Sequence, residues 1–330
     1  MTAISGTVNW GIIGCGDVCE VKSGPAFNKV PGSKLVAVMR RDADKAKDFA
    51  QRHDVPKFYS DATALINDDE VNAVYIATPP SSHEQYVELC LKANKPVYVE
   101  KPVSINSASV ERMIALRKQY GVKVSVAHYR RALPLFKTIK QLIQEGAIGK
   151  VNLVQLKILQ PPVSKIITQT KDNWRINPEV SGGGLFHDLS PHQLDILYWL
   201  FGNPQKVTVQ AANNGKKYNA PDLVTVQIVF NNNIHFNGEW NFNVVEAATE
   251  DSCEIIGDKG SIRFSFFRVS KIELSTDDGI EVIEREYPPH IQEPHIGNVN
   301  RFFRSETENP CSLEDALVTM QIMDKAVLQS

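Results

Sequence analysis

Asp188 and His192, in the second half of the chain, have the spacing of a catalytic pair. They follow three glycines at 182–184 and are four positions apart. On a helix this spacing places both side chains on one face, about 6 Å apart. An imidazole can act as a general base, and a carboxylate beside it can orient the ring. The alternatives are a hydrogen-bonded pair that only stabilises the helix and, more weakly, a metal site with His187, for which further ligands are lacking.

Lys101 is the matching candidate in the first half. The apolar segment PVYVE predicts a buried strand that ends at Glu100, Lys101 and Pro102. Ligands of open α/β sheets bind at the carboxyl ends of strands, and a partly desolvated ammonium there can pass a proton. Pro102 also keeps Lys101 out of the α region. A solvated lysine at a strand end is the alternative.

The segment GIIGCGDVC at 11–19 follows a predicted strand and opens a predicted helix. Gly14 permits a tight turn, and Gly16 lets the backbone approach a pyrophosphate at the helix N-terminus. The third position of the fingerprint is Cys19, not Gly or Ala, although a small thiol can still pack helix against strand. The context predicts dinucleotide binding. The predicted loop residues are Gly14, Cys15, Gly16, Asp17 and Val18.

The strand KLVAVM ends at Met39 and is followed by Arg40, Arg41 and Asp42. The residue that contacts the adenosine ribose lies at this position in dinucleotide-binding domains. An acid there would bind the hydroxyls of NAD, whereas guanidinium groups can hold a 2′-phosphate by charge-assisted hydrogen bonds. The sequence therefore favours NADP(H) over NAD(H). The alternatives are that both arginines are solvated and that Asp42 turns inward as an NAD ligand.

These residues need a scaffold, and the hydrophobic pattern predicts one. From Val8 to Gln119 short β-branched runs alternate with helical patterns, which is typical of a doubly wound parallel sheet. VKVSVAH at 122–128 predicts a further strand, and the segment after it a helix that ends at Gly146 or Gly149. After Lys150 apolar and polar residues alternate between Asn-, Gly- and Asp-rich turns, so we expect a large, mostly antiparallel sheet with one buried face.

Two helices interrupt or close this second part. One is GGGLFHDLSPHQLDILYWLFG, and the other begins at the cap Ser312…Asp315. The predicted fold class is thus α/β, with a doubly wound domain at 1–125 and an α+β domain at 126–330.

Composition supports two globular domains. The chain has 330 residues, 36 Lys+Arg against 38 Asp+Glu, 42% hydrophobic and 22% charged residues. Such values argue against a nucleic-acid partner or an acidic tail. Five scattered cysteines support neither a disulfide framework nor a Cys zinc site, so no metal is expected. No apolar run is long enough to cross a membrane and no leader pattern is present, so we expect a cytoplasmic protein.

The motifs GIIGCGDV, ATPPSSH, EKP and SGGGLFHDLSPHQLD together resemble those of the Gfo/Idh/MocA oxidoreductases, the glucose–fructose oxidoreductase and inositol dehydrogenase group. The resemblance extends over nearly the whole chain and departs from the pattern at Cys19. It implies a Rossmann domain followed by an open-faced sheet that forms dimer or tetramer contacts. It also implies a catalytic set of Lys101, Asp188 and His192. Residues implied at the nicotinamide are Thr78, Pro79, His83, Glu100 and Lys101, and those implied at the substrate are Tyr129, Arg130, Trp174, Arg175 and His187.

The expected activity is hydride transfer between a nicotinamide and a secondary alcohol or ketone of a sugar, cyclitol or related polyol. His192 would take the hydroxyl proton, Lys101 would hydrogen-bond the same oxygen, and Asp188 would orient the imidazole or a neighbouring hydroxyl. The alternatives are a non-catalytic NADP-binding regulator of the same fold and an NAD-dependent glycosidase, whose histidine-rich glycine motif is not evident. Substrate and direction stay open: loops 161–178 and 287–298 would select the substrate, and His290 either reaches the site or caps a turn.

Overall fold

The computed structural model describes residues 3–164, 166–167 and 173–327. Within these residues the chain forms two compact units. The first comprises the chain up to Ala132 together with Pro288–Leu317. The second comprises Leu133–Tyr287 together with the residues from Val318 onward.

The strands of the first unit are β1 (Val8–Ile13), β2 (Ser33–Met39), β3 (Lys57–Tyr59), β4 (Ala73–Ile76), β5 (Val97–Val99) and β6 (Val124–Val126). The strands of the second unit are β7 (Val151–Leu159), β8 (Pro204–Ala212), β9 (Leu223–Phe230), β10 (His235–Asn241), β11 (Glu250–Gly257), β12 (Gly260–Phe264), β13 (Lys271–Thr276) and β14 (Gly279–Glu284).

The α-helices, in chain order, are α1 (Asp17–Val21), α2 (Ala43–Arg52), α3 (Ala62–Ile66), α4 (His83–Lys92), α5 (Ser107–Tyr120), α6 (Pro134–Gln144), α7 (Pro178–Ser181), α8 (Gly184–Phe201), α9 (Glu293–Phe303) and α10 (Leu313–Val327). In the part of the chain that the structure describes, no helix is both long enough and apolar enough to span a membrane.

The strands of the first unit pair in parallel in the order β3-β2-β1-β4-β5-β6. This is the doubly wound order, and its switch point lies between β1 and β4. The central strands β4 and β5 are buried along their whole length, as strands covered on both faces must be. The predicted parallel sheet is confirmed.

The return of the chain at Pro288 completes the core of the first unit. α9 buries Ile296, Val299 and Phe303 in the cluster that contains Trp10. Trp10 Nε1 also donates a hydrogen bond to Asn300 Oδ1 at 3.1 Å. The sequence predicts a second domain at 126–330, whereas residues up to Ala132 and residues 288–317 belong to the first unit. The latter segment does so because α9 packs into the core of that unit.

The second sheet has the order β14-β13-β12-β11-β7-β10-β9-β8, and every pair is antiparallel except β7 with β10. Val224, Val226 and Ile228 of β9 are buried, and the residues between them are more exposed, which confirms the predicted alternation. Trp240 on the buried face donates from Nε1 to Gln193 Oε1 of α8 at 3.2 Å. The sheet therefore supports α8, which carries the candidate catalytic pair.

Candidate active site

The glycine loop connects β1 to α1. Gly14 has φ +90°, and the N–H groups of Gly14 and Cys15 donate to the Met39 carbonyl oxygen at 2.9 and 3.2 Å. A Cβ on Gly14 would lie 2.7 Å from Thr78 Cγ2 and 2.9 Å from the Thr78 nitrogen. A Cβ on Gly16 would have only one atom within 4 Å, the Gly14 carbonyl oxygen at 3.9 Å. The loop is thus tightly packed at Gly14 and open at Gly16, an arrangement that fits a pyrophosphate beside the second glycine.

Cys19 fills the third fingerprint position as a small apolar group. It is fully buried, with Sγ 3.8 Å from the Gly14 carbonyl oxygen. Burial raises the pKa of the thiol well above its usual value, so Cys19 stays neutral. α1 has only five residues, with Asp17 exposed and Val18 half-buried at its start. Loop amides, rather than a long helix dipole, would therefore hold a phosphate here.

The two arginines after β2 differ from Asp42 in what they contact. Neither guanidinium has a hydrogen bond or ion pair with another residue of the described part of the chain. Arg40 is half-buried and lies near Cys15, where its charge opposes the burial that raises the thiol's pKa to about 11. Arg41 is exposed. Asp42 instead caps α2: Oδ1 accepts from the Lys45 amide at 3.2 Å, and Oδ2 lies 3.0 Å from Lys45 Nζ.

The loop after β4 is held by a buried histidine. His83 Nε2 lies 2.7 Å from the Thr78 carbonyl oxygen, and its Nδ1 lies 3.2 Å from the Val103 carbonyl oxygen. Burial lowers the pKa of His83 to about 4, so the ring is neutral and has one N–H to donate. Ser82 Oγ donates to Thr78 Oγ1 at 2.8 Å, and Pro79 is half-buried. The ring can donate to only one of these two carbonyl oxygens, and it lies between the Thr78 loop and the segment that follows Lys101.

Glu100 and Lys101 follow β5, as predicted. Glu100 is buried, and its Oε1 accepts hydrogen bonds from Tyr75 Oη at 2.5 Å and Gln292 Nε2 at 2.6 Å. Its Oε2 accepts from the Lys101 amide at 3.1 Å. Lys101 is half-buried, and its peptide bond to Pro102 is cis. Sequence reasoning found the carboxylate but neither of its side-chain partners, because no local pattern connects them.

Asp188 and His192 lie on α8, as their spacing predicts, and are 9% and 6% exposed. Asp188 Oδ2 lies 3.3 Å from Arg175 Nε, and the Arg175 guanidinium lies 4.5 Å from the centroid of the Trp174 ring. The rings of His192 and Phe267 meet edge to face, with centroids 5.5 Å apart. α8 therefore carries a carboxylate paired with Arg175 and, four residues later, an imidazole in contact with Phe267.

The glycines at 182–184 make room for the protein's own side chains. A Cβ on Gly183 would overlap the His187 ring, and one on Gly184 would lie 2.6 Å from Ala220 Cβ. His187 is fully buried, and burial lowers its pKa to about 4. The resemblance implies that His187 lies at the substrate, and the structure shows the His187 ring filling the space beside Gly183.

The remaining predicted site residues are divided between the units. Tyr129 and Arg130 are buried in the first unit, with the guanidinium 5.6 Å from the centroid of the Tyr129 ring. Trp174 and Arg175 are in the second. The predicted catalytic set is divided as well, since Lys101 belongs to the first unit and the α8 pair to the second. 

His290 donates from Nδ1 to the Val21 carbonyl oxygen at 2.7 Å, which favours the turn-capping alternative. Of the predicted substrate loop 161–178, residues 165 and 168–172 lie outside the described residues.

Two protein families match successive parts of this chain. Residues 8–128 match the family described as "Oxidoreductase family, NAD-binding Rossmann fold", and residues 136–263 match the GFO/IDH/MocA C-terminal domain. Oxidoreductase P35 of Formosa agariphila is 44% identical over 96% of this chain and 97% of its own. The chain belongs to the Gfo/Idh/MocA family.

One further relative by sequence and one solved structure are also similar to this chain. The Bos taurus trans-1,2-dihydrobenzene-1,2-diol dehydrogenase is 28% identical over 77% of this chain and 72% of its own. A levoglucosan dehydrogenase, solved with NADH and levoglucosan, has a TM-score of 0.84 at 22% identity and covers 98% of this chain and 96% of its own. The resemblance and the fold inferred from sequence are thus confirmed, and this Gfo/Idh/MocA protein is an NAD(P)-binding oxidoreductase.

Proposed function

We propose that this Gfo/Idh/MocA protein transfers a hydride between NADP(H) and a secondary alcohol or ketone carbon of a sugar, cyclitol or related polyol. The observation that carries the proposal is the burial of Asp188 and His192 on one helix, with the carboxylate paired to Arg175. Two of the relatives support the substrate class, since they are named for a dihydrobenzene diol and for levoglucosan.

Each catalytic role follows from the chemistry of its side chain. A bound nicotinamide supplies the hydride acceptor or donor. His192 would take the proton of the substrate hydroxyl as the hydride leaves the same carbon, and Lys101 would hydrogen-bond that oxygen and stabilise its developing negative charge. Asp188, held by Arg175, would orient the imidazole or a neighbouring hydroxyl.

The preference for NADP(H) rests on the chain after β2. The guanidinium groups of Arg40 and Arg41 have no protein partner in the described part of the chain, whereas Asp42 is committed to the cap of α2. A 2′-phosphate would give both arginines a counterion, and the open space over Gly16 fits the pyrophosphate.

The test is turnover by the wild-type protein. NADPH oxidation with a panel of keto-sugars, and NADP⁺ reduction with the matching polyols, should show a substrate-dependent change in absorbance at 340 nm. Cofactor binding with no turnover on any panel member would support the regulator instead. Release of a sugar from a glycoside without net cofactor change would support the glycosidase.

A further inference from the structure

A buried hydrogen-bond network surrounds Glu100 at the carboxyl end of β5. Tyr75 Oη and Gln292 Nε2 both donate to Glu100 Oε1, and Tyr98 Oη donates to Gln292 Oε1 at 2.9 Å. The rings of Tyr75 and Tyr98 stack with centroids 5.1 Å apart. Gln292 is 1% exposed, and it uses its amide both as a donor to the carboxylate and as an acceptor from the phenol.

Gln292 reaches this network from a distant part of the sequence, just before α9. Its backbone N–H donates to the Lys22 carbonyl oxygen at 3.2 Å, next to the end of α1. Two residues earlier, His290 is bonded to the Val21 carbonyl oxygen. The segment is therefore anchored to the end of the glycine-loop helix by its main chain and to Glu100 by its side chain.

The position of Glu100 in the sheet indicates which half of a dinucleotide it serves. In a doubly wound sheet of this order the two nucleotide halves lie on opposite sides of the switch point, here between β1 and β4. The adenosine half belongs to β1–β3, so the nicotinamide half belongs to β4–β6. The carboxylate also accepts the Lys101 amide at Oε2, so a change in its orientation would alter the main chain at Lys101.

We propose that Gln292 is a positioning residue for the nicotinamide end of the cofactor, acting through Glu100 and the Lys101 main chain. The inference rests on the proposed function, because it assumes a dinucleotide on this edge of the sheet. A primary amide can donate to the carboxylate through its nitrogen and accept from the phenol through its oxygen at the same time. An apolar side chain of the same length would leave Glu100 short of a donor and Tyr98 without its acceptor.

The test compares two ligands that differ only in the nicotinamide end. Gln292→Met keeps the side-chain length and removes both hydrogen-bonding groups. Calorimetry on wild type and variant would measure the Kd of NADPH and of 2′-phospho-ADP-ribose, or of NADH and ADP-ribose if the wild type prefers NADH. We expect Kd for the complete dinucleotide to rise about tenfold, because a buried hydrogen bond to a charged group is lost. Kd for the truncated ligand should change less than about twofold.

Tyr75→Phe is the second variant. It removes the other donor to Glu100 Oε1 without changing the ring, so we expect the same selective loss. If Gln292→Met does not fold, the Kd values of Tyr75→Phe test the positioning role in its place.

Asn300→Leu is the matched control. Asn300 is fully buried on α9 and accepts the Trp10 indole N–H, so its loss removes another hydrogen bond between the same segment and the sheet. We expect a lower Tm but an unchanged ratio of the two Kd values.

The possible outcomes distinguish failure of the positioning role of Gln292 from failure of the proposed function. If Gln292→Met, or Tyr75→Phe in its place, weakens both ligands equally or neither, the positioning role is wrong while the proposed function stands. It is also wrong if the wild type binds both ligands equally, because no nicotinamide contact then needs positioning. A wild type that binds neither dinucleotide refutes the proposed function itself, and the inference with it.

Discussion

Arg175 determines how the carboxylate of Asp188 can be used. The guanidinium is permanently charged, lies against Trp174 and pairs with Asp188 inside the second unit. Because the pair is buried, loss of either partner would leave a charge without its counterion. In the proposed mechanism Asp188 would therefore act as a fixed, charged acceptor that orients its neighbours, and His192 would take the proton of the substrate.

Replacement of His192 by alanine tests this division of roles. His192→Ala should lower kcat about 10²–10⁴-fold, the usual contribution of a general base. Cofactor affinity should stay nearly unchanged, because the glycine loop and Arg40 belong to the first unit. Lys101→Ala should lose comparable activity, and the double variant should lose less than the product of the two, since both residues would act on one oxygen in the proposed mechanism. Asp188→Asn should lower kcat less than either alanine variant if Asp188 only orients the imidazole or a neighbouring hydroxyl.

Measurements of kcat, Kd for the cofactor and Tm on the same preparations separate catalysis from stability. A histidine that only stabilises α8 would give a lower Tm and a near-normal kcat per folded molecule. Normal turnover by folded His192→Ala protein would refute the general-base role.

The carboxyl end of β2 should control the choice of cofactor. We expect NADPH to bind at least about tenfold more tightly than NADH, because Arg40 and Arg41 can bind a 2′-phosphate. The double variant Arg40→Ala/Arg41→Ala should narrow that ratio, as measured by fluorescence titration. Lys34→Ala removes an exposed charge near the opposite end of the same strand and should leave the ratio unchanged. Tighter NADH binding by the wild type would overturn the preference.

α1 and α2 are joined by a pairing that should make stability depend on pH. Arg52 donates to both carboxylate oxygens of Glu20 at 2.7 and 2.8 Å, and His53 Nε2 lies 2.8 Å from Oε2. The Arg52 hydrogen bonds, with a smaller contribution from His53, lower the pKa of Glu20 from 4.5 to about 2. Because the folded pKa is below the unfolded one, the stabilisation is present above about pH 4.5 and is lost as the pH falls toward 2.

Glu20→Gln should therefore lower Tm at pH 7, and the difference from wild type should shrink between pH 5 and about pH 2. Glu88→Gln, which breaks the exposed Glu88–Lys92 pair on α4, should give a smaller difference from wild type at pH 7. A Glu20→Gln difference that is constant over this range would contradict the assignment.

Elements with a strong local pattern could be predicted, and elements without one could not. Strands are predicted correctly where the sequence pattern matches the burial. This holds for the apolar runs of β1, β2, β4 and β5, whose side chains are mostly buried, and for the alternation of β9, whose apolar side chains at every second position are buried. β3 was missed, because its three residues lie at the sheet edge and are only partly buried. At the site, spacing located Asp188 and His192 on one helix. It could not reveal Gln292 beside Glu100 or Phe267 beside His192, since tertiary packing alone creates those contacts.

At the scale of the whole molecule, the second sheet carries a patch of exposed amide side chains. Gln155, Asn237 and Gln227 are exposed cross-strand neighbours on β7, β10 and β9. In a two-fold contact the same patch faces its own copy, and amides, which both donate and accept, can pair with themselves where like charges would repel. We propose that the protein forms a homodimer or homotetramer through this face.

Light scattering at micromolar concentration measures the mass directly. The wild type should show at least twice the 36.8 kDa of one chain. Asn237→Glu replaces the middle one of the three amides with a carboxylate, which would face its own copy in a two-fold contact, and should shift the mass toward that of a monomer. Gln51→Glu makes the same change of charge at an exposed position of α2 and should leave the mass unaltered. A monomeric wild type would contradict the oligomer. An Asn237→Glu protein that keeps the wild-type mass would show that another surface holds the subunits together, because two carboxylates that face each other across a two-fold contact would repel.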